Sequence, residues 1–232
     1  MSHVDRSLIT NLPLFAGLSP EDLDDMLREA QSIRYTKGSS VFQQDEDAHS
    51  FFVLLHGHLR VMKLTPDGQQ VVVRFVVPGE MFGIAMAMGR TTYPATALAV
   101  VDSIALVWPS AIWPRLVAKH PSLAVNTLQT VGSRLQDAHT RVVEMSTEQV
   151  ERRVAHALLR LAQQAGRKVE EGIQIDFPIS RQDVAEMTGT TLHTVSRILS
   201  AWEEQGFVEG GRQRIMIREP HKLLLIAEGA QN

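Results

Sequence analysis

Residues 122–145 read SLAVNTLQTVGSRLQDAHTRVVEM. Within them Leu128, Val131, Leu135, Ala138, Val142 and Met145 follow one another at alternating steps of three and four. This is a/d spacing, which keeps a narrow apolar stripe turned toward a second helix. Arg134, Gln136, Asp137, Arg141 and Glu144 fill the remaining positions, and Gly132 flanks the stripe, where it would let another backbone come close. Pro121 suits the first helical turn, where its missing N–H costs nothing. The plainer alternative is an amphipathic helix packed on its own domain, but such helices usually carry a wider stripe. The spacing therefore predicts a dimer helix with those six residues as its interface. About three heptads are too short to hold two chains alone, so other contacts must help.

Upstream of this helix the period changes to two. Ser19-Pro20-Glu21-Asp22 first starts a short helix, with Ser19 as cap, Pro20 at the first position and Leu18 able to pack on Leu23. Strands are then predicted at 32–36, 40–43, 50–55, 58–64, 69–77, 95–100 and 103–108. Lys37-Gly38, Asp45-Glu46, Gly57, Asp67-Gly68 and Pro78-Gly79 separate them. Asp67-Gly68 between two apolar strands is a hairpin signal. Many short, evenly spaced strands indicate a β-sandwich or barrel of the jelly-roll type. Residues 110–120 read as a short helix leading into the long one.

Downstream, Ser146-Thr147-Glu148-Gln149 fits a capping box, which predicts a new helix and makes Met145–Thr147 a hinge candidate. That helix carries Val150, Val154, Leu158 and Leu161 on one face and stops near Gly166; Gly172–Ile179 reads as a strand. Ser180 caps a further helix with Asp183 at its third position, Gly189 breaks it, and Thr190 or Thr191 caps the next, which runs to about Glu204. Val195, Ile198, Leu199 and Trp202 form its apolar face, whereas His193, Ser196, Arg197 and Ser200 lie opposite. An ordinary solvated face would carry Glu and Lys; this one is short and hydrogen-bonding. A glycine-rich hairpin follows, with Arg212 and Arg214 at its tip, where cations suit phosphates.

Bulk composition sets bounds on this reading. A chain of 232 residues, 44% hydrophobic, has room for two modest domains with real cores. Its net charge of -3 does not announce a nucleic-acid binder, so DNA contact must come from locally clustered cations. Without cysteine there can be no disulfide, thiolate zinc site or cysteine-ligated iron–sulfur cluster. Neither a signal-peptide core nor an apolar run of about 18 residues is present, so a cytoplasmic protein without a membrane partner is expected. Nucleophile–base pairs, phosphate loops and zinc-ligand spacings are also missing, which points away from an enzyme.

The stretch ISRQDVAEMTGTTLHTVSRILSAWEEQGFVEGGRQRIMI, residues 179–217, resembles the winged helix-turn-helix of the Crp/Fnr regulators. KGSSVFQQDEDAHSFFVLLHGHLRVMKLTPDGQQ and PGEMFG resemble the cyclic-nucleotide-binding-domain superfamily, with one departure at Asp45, where a tight turn usually holds Gly. Asp tolerates a left-handed backbone better than most residues. Together with the long helix, the resemblance covers nearly the whole chain. It implies that Arg181, Thr190 and Thr191 hold phosphates and that His193, Ser196 and Arg197 face base edges. The Fnr-like branch has Glu-x-x-Ser-Arg on this helix; here the Ser-Arg pair stands, but His193 replaces the Glu. LHTVSRILSAWE looks most like the Nnr group, near the nitric-oxide-responsive Nnr and Dnr regulators.

In cyclic-AMP-binding members of this superfamily, a Gly-Glu pair and a later Arg-Ser pair hold ribose and phosphate. Gly83 is kept here, but Ile84 replaces the Glu, and the Arg-Ser position falls on about Tyr93-Pro94. A phosphate without its arginine would be a poorly paired buried anion, which argues against cyclic AMP. Phe82, Ile84, Met86, Met88 and Tyr93 form the sensor region. Two readings stay open for them: a filled core with no ligand, or an apolar pocket for haem or another hydrophobic effector. The imidazoles considered for haem are His49, His56, His58 and His139.

The expected fold is α+β: a cyclic-nucleotide-binding-type jelly-roll β-barrel (1–119), a long dimerisation helix (120–147) and a winged helix-turn-helix (148–232). The expected function is a homodimeric transcription regulator that reads a palindromic TTG-type site in double-stranded DNA with the helix 191–204. Its genes would be those of nitrogen-oxide or low-oxygen metabolism, with RNA polymerase as a candidate partner. The alternatives are a regulatory module acting on a partner protein and a cyclic-AMP-responsive regulator.

Overall fold

Alternation of apolar and polar residues, interrupted by glycine turns, resolves into strands, and the three-four spacings resolve into helices. The computed structural model describes residues 5–229; the outermost ends of the expected first and last segments, 1–4 and 230–232, lie outside the described residues. In chain order the elements are α1 (Pro20–Arg28), β1 (Gln31–Tyr35), β2 (Ser40–Phe42), β3 (Ser50–His56), β4 (Leu59–Leu64), β5 (Gln70–Val76), β6 (Met81–Phe82), β7 (Thr96–Ala99), β8 (Ser103–Pro109), α2 (Trp113–Lys119) and α3 (Pro121–Thr147). They continue as α4 (Val150–Ala165), β9 (Gly166–Val169), β10 (Gly172–Ile175), α5 (Arg181–Thr188), α6 (Leu192–Glu204), β11 (Val208–Gly211), β12 (Arg214–Ile217) and α7 (Pro220–Glu228). Two compact units result: Met1–Leu64 with Arg74–Asp137, and Thr65–Val73 with Ala138–Asn232.

In the N-terminal part, one antiparallel sheet has the order β1-β8-β3-β6 and the other β2-β7-β4-β5. The first places Phe51 opposite Trp108, with ring centroids 5.4 Å apart. Trp108 is fully buried, and its indole N–H donates to the Met26 carbonyl at 2.9 Å, so α1 closes the sheet without leaving a buried donor unpaired. Ser19 caps α1 in a reciprocal capping box with Asp22, as its sequence predicts. Asp45 takes φ +66, so the turn survives the loss of glycine in the left-handed conformation that Asp tolerates.

Helix α3 departs from its reading in two ways. Its C-terminus runs through Met145–Thr147, and no capping box forms there. The Ser146 and Thr147 hydroxyls donate to the Val142 and Val143 carbonyls one turn back, at 2.8 Å each, and Gln149 starts α4 without a side-chain cap. One residue of the stripe also turns inward. Val131 packs on the core shared by Phe15, Leu123 and Trp108, because the inner face of α3 lies against that core. The outward large apolar side chains are Val125, Leu128 (70% exposed), Leu135 (55%), Val142 (61%), Val143 and Met145 (46%). Ala138 is exposed as well, and Gly132 and His139 lie exposed beside these residues, so Val131 alone of the six expected residues turns inward.

Further differences are local. Gly166 opens β9 directly after α4, β9 pairs with β10 in a hairpin of four residues on each strand, and the strand from Gly172 ends at Ile175. The two-residue β6 and the helix α7 carry too few periodic positions to stand out in the sequence. Among the described residues no helix is long and apolar enough to cross a membrane.

Candidate nucleic-acid interface

Helices α5 and α6 are built by local chemistry. The Ser180 hydroxyl accepts from the Asp183 N–H at 3.1 Å, while Asp183 Oδ2 accepts from the Ser180 N–H at 2.8 Å. Gly189 ends α5 with φ +62, the left-handed value glycine adopts freely. The Thr191 hydroxyl caps α6 by accepting from the Thr194 N–H at 3.1 Å. Val195, Ile198, Leu199 and Trp202 are buried, which fixes the rotation of α6. Trp202 Nε1 donates to Glu151 on α4 at 3.1 Å, tying the helix to the rest of its domain.

This rotation turns His193 and Arg197 outward, one helical turn apart. Neither makes a hydrogen bond or ion pair among the described residues. Ser196 is half-buried, between them and the core face. Thr190 is half-buried and Thr191 exposed at the N-terminus of α6, where backbone N–H groups and the helix dipole favour an anion. Leu192, which the sequence pattern did not single out, is 46% exposed at the first helical position.

The expected phosphate cations separate into two kinds. Arg212 is exposed at the tip of the β11–β12 hairpin, beside Gln213 with φ +58. Arg214 instead pairs with Glu209 at 2.9 Å across the hairpin, and Arg218 joins the same carboxylate. The Arg218 hydrogen bond first, then the two arginine charges, hold the Glu209 carboxyl below its usual range. Arg181 is committed internally. Its Nη2 donates to both Glu203 carboxylate oxygens at 2.8 and 3.0 Å. Its Nη1 donates to Ser200 Oγ at 3.2 Å and to the Ser196 carbonyl at 3.3 Å. Glu203 carried no warning of this in the sequence, because its partner lies 22 positions away on another helix.

The five expected sensor residues do not line one cavity. Phe82 and Tyr93 lie in a closed aromatic cluster with Phe42 and Phe52; Tyr93 stacks on Phe42 at 3.9 Å and Phe82 on Phe52 at 4.9 Å. A Cβ on Gly83 would come within 2.6 Å of the Phe52 ring, so this position is filled too. The Tyr93 hydroxyl donates to the Ser50 carbonyl at 2.7 Å and accepts from the Ser50 N–H at 3.1 Å. Burial pushes its phenol up from the ordinary value. Ile84 belongs to the other core, around Trp108. Met86 and Met88 are 42% and 53% exposed on a short 3-10 turn.

Ile84 and Met86 do share a slit of about 180 Å³ with Phe51, Ser110 and Trp113. That space is open to solvent in part and too narrow to admit even a water molecule, and none of the four imidazoles considered lines it. His49 stands in solvent 3.9 Å from Asp47, and His139 lies on the outer face of α3. These residues do not fit a haem.

Comparison with known proteins agrees with this division. Residues 32–120 match the cyclic nucleotide-binding domain, and residues 152–226 match the Crp-like helix-turn-helix domain. The chain is 31% identical over 217 residues to the cyclic AMP receptor protein of Thermus thermophilus, covering 94% of this chain and 97% of that one. It is 25% identical over 212 residues to the nitrogen fixation regulation protein FixK of Bradyrhizobium diazoefficiens, covering 91% of this chain and 88% of the relative. Among solved structures, FixK2 from Bradyrhizobium japonicum superposes with a TM-score of 0.75 at 24% identity, covering 85% of this chain and 96% of that one.

Proposed function

Because the chain belongs to the Crp/Fnr family of transcription regulators and carries a helix-turn-helix DNA-binding domain, we propose that it acts as a homodimer that reads a palindromic TTG-type site with α6. The observation that carries this reading is the outward face of α6, where Arg197 and His193 stand free above a buried apolar face. Arg197 takes both O6 and N7 of guanine, the pairing its planar fork favours. Ser196 and His193 face neighbouring base edges. Thr190, Thr191 and Arg212 hold phosphates and set the register. The second copy docks along Leu128, Leu135, Ala138, Val142 and Met145 of α3, with Val125 extending the stripe, where Gly132 allows close approach. Burying each large side chain there contributes roughly 1.5–3 kcal/mol. Two-fold symmetry then places half-sites about one helical turn apart.

Fluorescence anisotropy with a duplex carrying two TTG half-sites at that spacing, against a scrambled duplex of equal length, tests the reading. A preference of at least about 10³-fold is expected. Equal affinity for the two duplexes would sink it.

We extend the proposal to genes of nitrogen-oxide or low-oxygen metabolism, in the manner of the Nnr and Dnr groups, with RNA polymerase as the further partner. What supports this is the Ser196-Arg197 pair on α6 together with a relative named for regulating nitrogen fixation. Transcripts compared with and without this protein, under nitric oxide and under low oxygen, test it; identical profiles in both conditions contradict it.

The relative named a cyclic AMP receptor protein favours a second reading, a cyclic-AMP-responsive regulator. Against it stand Ile84 and Tyr93-Pro94, which offer no charge to a ribose or phosphate, and the filled core around Tyr93. Calorimetry is expected to show no saturable heat with cyclic AMP. Micromolar affinity would replace the first account of the sensor with this one.

A further inference from the structure

We propose that Arg181 is a positioning residue that braces α6 and the wing through Glu203, and that it contacts no phosphate in the DNA complex. The inference rests on the reading of α6 as the base-reading helix. Arginine has five N–H donors. The four on the two Nη atoms are all engaged, two on the Glu203 carboxylate, one on Ser200 Oγ and one on the Ser196 carbonyl. The three acceptor residues lie on α6, while Arg181 opens α5, so a single guanidinium fixes the two helices against each other.

The wing completes the arrangement. Gly210 on β11 lies over the pair, and a Cβ there would overlap Glu203 Oε1 and come within 3.5 Å of Arg181 Nη2. Glycine at this position lets the wing strand pass over the pair. Ile179, Leu199, Val208 and Ile215 wall it in. In these apolar surroundings the attraction is stronger than in water, and a carboxylate left without its arginine is costly. Turning Arg181 outward to a phosphate would abandon Glu203 half-buried and release Ser196, one residue before the base reader Arg197. The neutral pair therefore stays closed, and Arg197 and Arg212 remain the cations with no ion pair in this domain's DNA-reading and wing elements among the described residues.

Salt dependence separates a brace from a phosphate contact. Each phosphate neutralised contributes about -0.9 to the slope of log K against log salt. The full-length protein is first required to distinguish the TTG duplex from its scramble; failure there removes the base-reading premise, not the brace. Replacing both partners, Arg181→Gln with Glu203→Gln, removes a neutral pair, so the slope on non-specific duplex is expected to stay unchanged. Glu203→Gln alone frees the guanidinium. The slope should then steepen by about 0.9 per protomer, and the specific-to-non-specific ratio should fall at least tenfold. The exchange Arg181→Glu with Glu203→Arg should recover most of that ratio. A double variant whose slope becomes shallower by about 0.9 per protomer overturns the proposal, as does a Glu203→Gln protein with undiminished specificity. If the variants do not fold, side-chain NMR of Arg181 in the wild-type protein decides the matter. Guanidinium rotation that stays equally hindered on adding DNA supports the brace, and a changed rotation rate with new phosphate coupling contradicts it.

Discussion

The outward face of α6 and the interior around Tyr93 handle polar groups in opposite ways. On α6, His193 and Arg197 are exposed and keep their donors free. In the barrel, the Tyr93 hydroxyl is buried and engaged in both directions by Ser50, and Phe42, Phe52 and Phe82 close around it. A free donor on a rigid helix is held ready for an outside partner, because the protein supplies the geometry and leaves the bond to be made. A donor already satisfied inside a packed aromatic cluster has its partner and leaves no room for another. The chain thus keeps exposed, unpaired side chains on α6 and a filled aromatic core around Tyr93.

The largest effect is expected where neither region is touched. Leu135→Glu sets two carboxylates facing each other in the apolar stripe of α3, at a cost of about 3–5 kcal/mol to the dimer. Sedimentation velocity should show a monomer that has lost specific DNA binding, with circular dichroism unchanged. A mutant that still sediments as a dimer would place the interface elsewhere.

Arg197→Ala sharpens the contrast from the DNA side. It should remove roughly 1–3 kcal/mol of discrimination at a single guanine while weak, salt-sensitive binding persists. Uniform weakening over all sequences would make Arg197 a phosphate contact. Tyr93→Phe tests the other region. Losing the two bonds to Ser50 should destabilise the barrel by about 0.5–1.5 kcal/mol in urea unfolding and leave DNA affinity unaltered. A large change in DNA affinity would mean that the filled core is part of the switch.

His193→Glu is the finest adjustment. A neutral imidazole can donate or accept by tautomer, whereas a carboxylate only accepts and so selects cytosine through its amino group. The wild type should be degenerate at the base pair beside TTG, and the variant should gain a preference there without disturbing the guanine read by Arg197. Equal strictness in both proteins would show that His193 does not face bases.

Local signals carried most of the fold into the sequence. Ser180 with Asp183, Gly189 and Thr191 mark the ends of α5 and α6 because caps act within one turn of chain, and the structure places the caps at those residues. The buried face of α6 followed from its period. Ser146 misled because a serine hydroxyl can cap a new helix or bond back to its own, and only the packing of α3 chooses between them. The stripe on α3 was legible as a repeat, but the inward turn of Val131 was not, because it is the core around Trp108 that draws Val131 inward. The commitment of Arg181 to Glu203 was hidden for the same reason, since tertiary packing brings them together. The one sequence trace of it is Gly210, a glycine inside a strand, which often marks a close approach of another group.

Selection of bound sequences from a random duplex library by the wild-type protein is the most direct test of the central claim, that two copies of α6 read a symmetric site. The account expects an enriched inverted repeat of TTG-type half-sites, with centres about one helical turn apart and a degenerate pair beside each. An enriched single, unrepeated motif, or no enrichment over the starting library, would contradict it.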